Sequence, residues 1–208
     1  MPRRALIVID VQNEYITGNL PIEYPDVNVS LANIGRAIDA AHVHRVPVVV
    51  VRQVAPATSP LFAHDSHGAE LHEVVASRPH AHQIDKALPS AFAGTDLAHW
   101  LTEHEIDTLV IAGYMTHNCD DSTVKHAVHA GLSVEFLCDA TGAVPYENRA
   151  GRASAEEIHR VFTVVMQSRF AAVLTTAEWI AALGTGEAPA RDSIYASNQQ
   201  ARSGRAAG

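Results

Sequence analysis

A three-layer α/β/α domain on a mainly parallel sheet is the fold that this 208-residue sequence predicts. Two observations carry the prediction. Several short runs are almost continuously apolar and β-branched, the signature of strands covered on both faces. Between them lie segments whose apolar residues recur at helical spacing, so strand and helix alternate and right-handed crossovers follow. With 47% apolar and 18% charged residues, the chain is long and apolar enough for one domain with its own core.

The elements follow in order. ALIVIDV (5–11) is the first strand. In the next segment Ile34, Ala37, Ile38 and Ala41 fall at i, i+3, i+4 and i+7, one face of a helix. VPVVVVR (46–52) is the second strand. From Gln53 to about Gly94 no element is evident, a gap of roughly 40 residues; loops of that length are functional or disordered. Leu97, Trp100 and Leu101 mark a helix, TLVIAG (108–113) a strand, and Val124, Ala127 and Val128 another helix, which Gly131 stops. SVEFLC (133–138) is apolar again. Ser154 with Glu157 fits a capping box, and Ile158, Val161, Phe162 and Val165 give a fourth apolar stripe. AAVLT (171–175) is the last strand, and a short helix begins near Thr176. Residues 1–185 form the domain. The polar, small-residue tail 186–208 is expected to be mobile or used in subunit contacts.

Composition narrows the partners. The formal net charge is −8 and no Lys/Arg stripe is present, which argues against nucleic acid. No run approaches the ~18 apolar residues of a membrane span. MPRRALIVIDVQNEY carries two arginines, but Asp10 cuts its apolar run and no cleavage site follows, unlike a signal peptide. Two cysteines make a poor disulfide framework, so a reducing, cytoplasmic setting is expected.

In open parallel sheets, ligands bind beyond the carboxyl ends of the strands. Asp10 closes the first strand, Cys119 follows TLVIAG by a short turn near a helix start, and Lys86 lies in the long loop feeding the same edge. Together they make an activated nucleophile. A free thiol has a pKa near ~8.5, and a helix N-terminus and an ammonium both favour its thiolate. Asp10 would accept the thiol proton and return it to a leaving amine, while Lys86 holds Asp10 ionised. Plainer roles fit the same residues. A lone cysteine is more often an inert small hydrophobe, Asp10 a strand-end turn residue, and Lys86 a solvated loop residue; Cys138 is read as core. Asp120 and Asp121 suit a helix's first turn but would raise the thiol's pKa if they faced it, so they are expected to point away.

ALIVIDVQNEY, DKALPSAFAGTDL, VIAGYMTHNCDDST, FLCDATG and FAAVLTT occur in order over roughly residues 5–180. On these segments the chain resembles the isochorismatase-like cysteine hydrolases. That superfamily includes nicotinamidases, N-carbamoylsarcosine amidase, ureidoacrylate and biuret amidohydrolases, and streptothricin hydrolase. The resemblance implies a six-stranded, Rossmann-like sheet, with Asp10 as general base and acid, Lys86 as the third triad member and Cys119 as nucleophile. It also implies a cis peptide at Tyr114–Met115 and an oxyanion hole from the N–H groups of Met115 and Cys119. Hydrolysis of a C–N bond in a small amide, ureido compound or lactam through a thioester follows, with only substrate and water as reactants. Family members are commonly dimers or larger, so a homo-oligomer is expected. Gln12, Gln53, Phe92, Tyr114 and His117 are the pocket candidates.

The sequence departs from the family in two places. Nicotinamidases carry a metal-binding Asp-x-His after the second strand, where this chain has Arg52 and Gln53. His64, Asp65 and His67, with His80 and His82, are read as a solvated His-rich loop, so neither metal nor other cofactor is expected. The apolar residue that usually follows the nucleophile is replaced by Asp120. Isochorismatases proper lack the cysteine, so Cys119 argues against vinyl-ether cleavage. A non-catalytic binding module is the alternative from another class. A flavodoxin-like nucleotide carrier lacks support, since DVQNEYITGNLP has no G-x-G-x-x-G loop.

Overall fold

A computed structural model describes residues 1–205. The chain runs β1 (Arg4–Ile9), α1 (Val27–Val43), β2 (Val48–Gln53), α2 (Glu73–Ala76), β3 (His82–Lys86), α3 (Leu97–Glu103), β4 (Thr108–Tyr114), α4 (Asp121–His129) and β5 (Ser133–Gly142). It continues through the antiparallel hairpin β6 (Tyr146–Asn148) and β7 (Gly151–Ala153) to α5 (Ala155–Val165), β8 (Ala172–Leu174), α6 (Thr176–Thr185) and α7 (Ile194–Arg205). Six strands form one sheet in the order β3-β2-β1-β4-β5-β8, and every pairing in it is parallel.

The continuous apolar runs have the reason expected of them: β1 and β4 are buried along their whole length. Leu6 and Val8 face a core shared with Ile34 and Ile38 of α1 and Trp179 of α6. Ala5, Ile7 and Ile9 face the opposite core, with Leu97 and Leu101 of α3 and Val124 and Ala127 of α4. Helices therefore cover both faces. The capping box of Ser154 and Glu157 closes the start of α5, and Thr175 with Glu178 does the same for α6. Gly131, at φ +87°, ends the α4 segment.

The long segment from Gln53 to Gly94 is not free of elements, as the sequence suggests; α2 and β3 lie within it. β3 reads HQIDK, with one aliphatic residue, because an edge strand presents only Ile84 and the Lys86 stem inward. Lys86 is thus the last residue of a strand rather than a loop residue. The stripe of α5 also differs from expectation. Val161 and Val165 are exposed, as is Val164, so this chain does not cover that face. Within the tail, α7 packs against the turn after α5, and Asp192 N–H donates to the Gln167 carbonyl at 3.1 Å. Residues 206–208 of the predicted tail lie outside the described residues.

At the amino ends of the strands Arg4 and Glu135 form a buried ion pair, 2.8 Å from Nη2 to Oε1. Trp179 Nε1 donates to Glu135 Oε2 at 2.9 Å, and Arg4 Nη2 donates to the Glu187 carbonyl at 2.8 Å. Removing one member of a buried, satisfied pair leaves the other charge uncompensated. Arg4→Met is therefore expected to lower unfolding stability by about 3–5 kcal/mol in urea titration.

Candidate active site

The chain order of the sheet makes a crevice. β1 to β3 are laid down outward on one side, and α3 then carries the chain back to β4 on the other side of β1. Connections leaving β1 and β4 diverge there, which is where open α/β sheets bind ligands. Asp10 follows β1 directly. Its N–H donates to the Val51 carbonyl at 2.8 Å, and its φ of +51° is in the left-handed region, where Asp is among the better-tolerated residues. Gly113 in β4 has φ +119°, and a Cβ there would run into the Ile9 carbonyl oxygen. Only glycine permits that approach, and the register of β4 with β5 shifts at the same point. After the cis Tyr114–Met115 peptide, the single π-helical turn Thr116–Asp120 leads into α4 and carries Cys119.

These elements bring Asp10, Lys86 and Cys119 together. Lys86 Nζ donates to Asp10 Oδ2 at 2.7 Å, to Gln53 Oε1 at 2.7 Å and to Cys119 Sγ at 3.2 Å. All three ammonium protons are thereby used. Both side chains of the Asp10–Lys86 pair are 0% exposed. Burial alone would lower the Lys86 ammonium, but Asp10 and Cys119 outweigh it and hold it above its usual value. Burial raises the Asp10 carboxyl, and Lys86 and a thiol hydrogen bond only partly offset that. Asp10 is therefore a stronger base than a solvated carboxylate, and its Oδ1 has no hydrogen-bond partner among the described residues.

Cys119 does not rest as the ready thiolate that the sequence suggests. Burial first, then the charge of Asp10, push the thiol well above its usual value, and Lys86 opposes them. The π turn does not outweigh this desolvation. The arrangement instead places a neutral thiol beside a strengthened base.

Cys119 and Met115 line a cavity of about 450 Å³ with Tyr15, Leu61, Phe62 and Tyr146 among its walls. Of the pocket candidates, Gln53 lines it, whereas Gln12, Phe92, Tyr114 and His117 do not. Gln12 is buried and spends its amide on backbone, donating to the Gln53 and Ala69 carbonyls and accepting from Gln53 N–H. Phe92, a core residue, stacks on the exposed His126, 4.6 Å between ring centres. The Tyr114 hydroxyl lies 2.7 Å from Ser30 Oγ of α1. His117 packs edge-on against Tyr146, and burial and His159 lower its pKa to about 4. In the His-rich stretch, His64 pairs with Asp65, His67 with Glu70 and His82 with Asp96.

One feature escaped the sequence reading. Asp120 points inward rather than to solvent, and it is wholly buried. Its Oδ2 accepts from Thr141 Oγ1 at 2.6 Å; Thr141 meets Thr116 at 2.9 Å, and Thr116 meets His159 Nδ1 at 2.9 Å. Asp120 Oδ1 has no partner among the described residues. Burial lifts its pKa to about 7, with the Thr141 hydrogen bond opposing. Asp121 pairs instead with Lys125 at 2.6 Å on α4. The only sequence signal for this network is polar residues inside otherwise apolar runs.

The chain matches known proteins over most of its length. A family model described as the isochorismatase domain matches residues 4–178. A crystal structure from Burkholderia xenovorans LB400, provisionally named an isochorismatase, superposes with a TM-score of 0.98 at 70% identity, covering 99% of each chain. An uncharacterized isochorismatase family protein of Bacillus subtilis, YddQ, is 30% identical over 83% of this chain and 96% of its own. The nicotinamidase of Escherichia coli K12 is 27% identical over 69% of this chain and 85% of its own.

Asp120 yields a prediction with a definite sign. The carboxyl titrates near 3.8 when unfolded and near about 7 when folded. The stabilisation tied to its bound proton is fully present below pH 3.8 and is lost as pH rises through about 7. Asp120→Asn has no such proton to lose. Relative to wild type, its unfolding stability should therefore gain roughly 3 kcal/mol between pH 4.5 and pH 8, at about 1.4 kcal/mol per pH unit. Urea unfolding at the two pH values measures this. An equal difference at both would mean that Asp120 is already ionised in the folded chain at the lower pH.

Proposed function

The chain belongs to the isochorismatase family, and on that premise we propose that it is a cysteine-dependent hydrolase of C–N bonds in small amides, ureido compounds or lactams. The observation that carries this reading is the buried contact of one ammonium with Asp10 and Cys119 together. Nicotinamidase among the relatives supports an amide as the bond cleaved.

In the proposed reaction, substrate enters the crevice and Asp10 takes the thiol proton as Cys119 Sγ attacks the carbonyl carbon. Lys86, 3.2 Å from the sulfur, stabilises the thiolate as it forms. The carbonyl oxygen becomes an oxyanion, held by the N–H groups of Met115 and Cys119; a donor of this kind is typically worth 10²–10³ in rate. The C–N bond breaks, the nitrogen leaves with the proton from Asp10, and a thioester remains. Water then gives a proton to Asp10 and attacks the thioester. The C–S bond breaks, the acid departs and the proton returns to sulfur.

The setting of this reaction is part of the proposal. We place the protein in the cytoplasm, because Cys119 and Cys138 are both free thiols. No helix among the described residues is long and apolar enough to cross a membrane. The proposed assembly is a homo-oligomer whose copies cover the exposed valines of α5. They share α5 with Phe162, which together with Tyr146 packs around His117.

An ammonia-release screen over amides and ureido compounds tests the reading. Cys119→Ala and Asp10→Asn should each lose at least about a thousandfold in kcat on any substrate found. Ammonia release by Cys119→Ala at the wild-type rate would remove sulfur from the mechanism.

A further inference from the structure

The cavity beside Cys119 has no charge to offer. Among its lining residues there is no Asp, Glu, Lys, Arg or His. The nearest cation is Lys86, and its three protons already go to Asp10, Gln53 and Cys119. Arg52, beside Gln53 in β2, donates through Nε and Nη2 to the two carboxylate oxygens of Asp85, at 2.9 and 2.6 Å. It lines a separate cavity with His64 and Glu70. The nearest anion, Asp10, is likewise committed to Lys86.

The walls are otherwise apolar. Tyr15, Leu20, Leu61, Phe62, Pro89 and Met115 supply most of the surface. Polar groups are few and neutral. Gln53 Oε1 is held by Lys86, while Gln53 Nε2 and the Asn118 side chain have no hydrogen-bond partner among the described residues. Ser59 Oγ is spent on the Leu61 carbonyl at 2.7 Å.

An ion entering such a cavity gives up its hydration without gaining a counter-ion, a cost of several kcal/mol. An uncharged amide gives up little, and its apolar part gains by burial against the aromatic and aliphatic walls. We propose that this cavity selects uncharged amides or ureido compounds with an apolar body, and discriminates against those bearing a carboxylate. The inference deepens the cysteine-hydrolase reading and rests on it for the reacting group; the charge preference is a property of the cavity itself.

Alkylation tests that preference without turnover. Iodoacetamide and iodoacetate have nearly the same shape and differ in charge, and both react with the same sulfur. Their rate ratio therefore cancels the thiol's own reactivity. The ratio is read on the full-length protein by mass spectrometry of the Cys119 peptide, in high salt to screen the chain's net negative charge. Glutathione under the same conditions is the reference. The ratio at Cys119 should exceed the reference by at least about tenfold. Leu61→Arg, checked for folding by circular dichroism, should bring it back toward the reference.

Hydrolysis supplies a second arm. 4-Methylpentanamide and succinamate have the same skeleton, with an isopropyl group in one where the other has a carboxylate. The first should release ammonia faster. A Cys119 ratio at or below that of glutathione overturns the inference, and so does faster release from succinamate. A ratio about tenfold above the reference sustains it even if neither amide is cleaved; the hydrolase reading alone is then weakened.

Discussion

A buried ion pair organises this molecule. Asp10 and Lys86 sit wholly inside the protein at 2.7 Å, where a lone charge of either sign would not persist. Their meeting is a matter of strand register. Ile9 pairs with Val51 of β2, and Gln53 of β2 pairs with Lys86 at the end of β3. The lysine therefore reaches back across β2 to the residue that follows β1. Gln53 sits between them and accepts from the same ammonium. A hydrophobic replacement of similar volume is often no less stable than a buried pair, so stability alone does not explain why charge is kept here. Proximity to the sulfur does: the ammonium that neutralises Asp10 is also the one that would meet a thiolate.

How much of this was legible in the sequence depended on what each residue has to satisfy. Strands β1, β2 and β4 declared themselves because burial on both faces demands unbroken aliphatic runs. β3 did not, because an edge strand with one covered face needs little more than Ile84. Lys86 was consequently read as a loop residue, although the surrounding motif placed it beside Asp10 and Cys119, where its ammonium lies. Periodicity in α5 marked an apolar face but not what covers it, and Val161, Val164 and Val165 are exposed in the single chain. Gln12, Phe92, Tyr114 and His117 lie close to the triad in sequence, yet their side chains are committed to backbone, to Ser30 or to aromatic packing. Proximity along the chain placed them near the crevice; only side-chain direction separates wall from support.

The state of the sulfur was the least legible property, since it is set by desolvation and not by residue type. A helix start and a lysine both suggest a thiolate, but neither outweighs removal from water together with an adjacent carboxylate. The same removal raises the basicity of Asp10. Thiol and carboxyl are thus pushed in the same direction. That keeps the proton on sulfur at rest while making the carboxylate a better acceptor than it would be in water.

The near-neutrality of the site follows from that arrangement. Asp10 and Lys86 cancel, the thiol carries no charge, and the cavity walls add none. A resting thiolate would have added one negative charge to an apolar cavity whose walls hold no counter-ion. In the proposed reaction, holding the proton back until the carbonyl is in place avoids leaving that charge unpaired at rest. In that reaction the developing charge would appear on sulfur and oxygen together, where the ammonium and the amides of the turn could meet it. Asp120 fits the same logic from the opposite side of the turn. Its burial lifts its pKa to about 7 against the opposing Thr141 hydrogen bond, so near neutrality this second carboxyl is only partly ionised and adds less negative charge than its residue type implies.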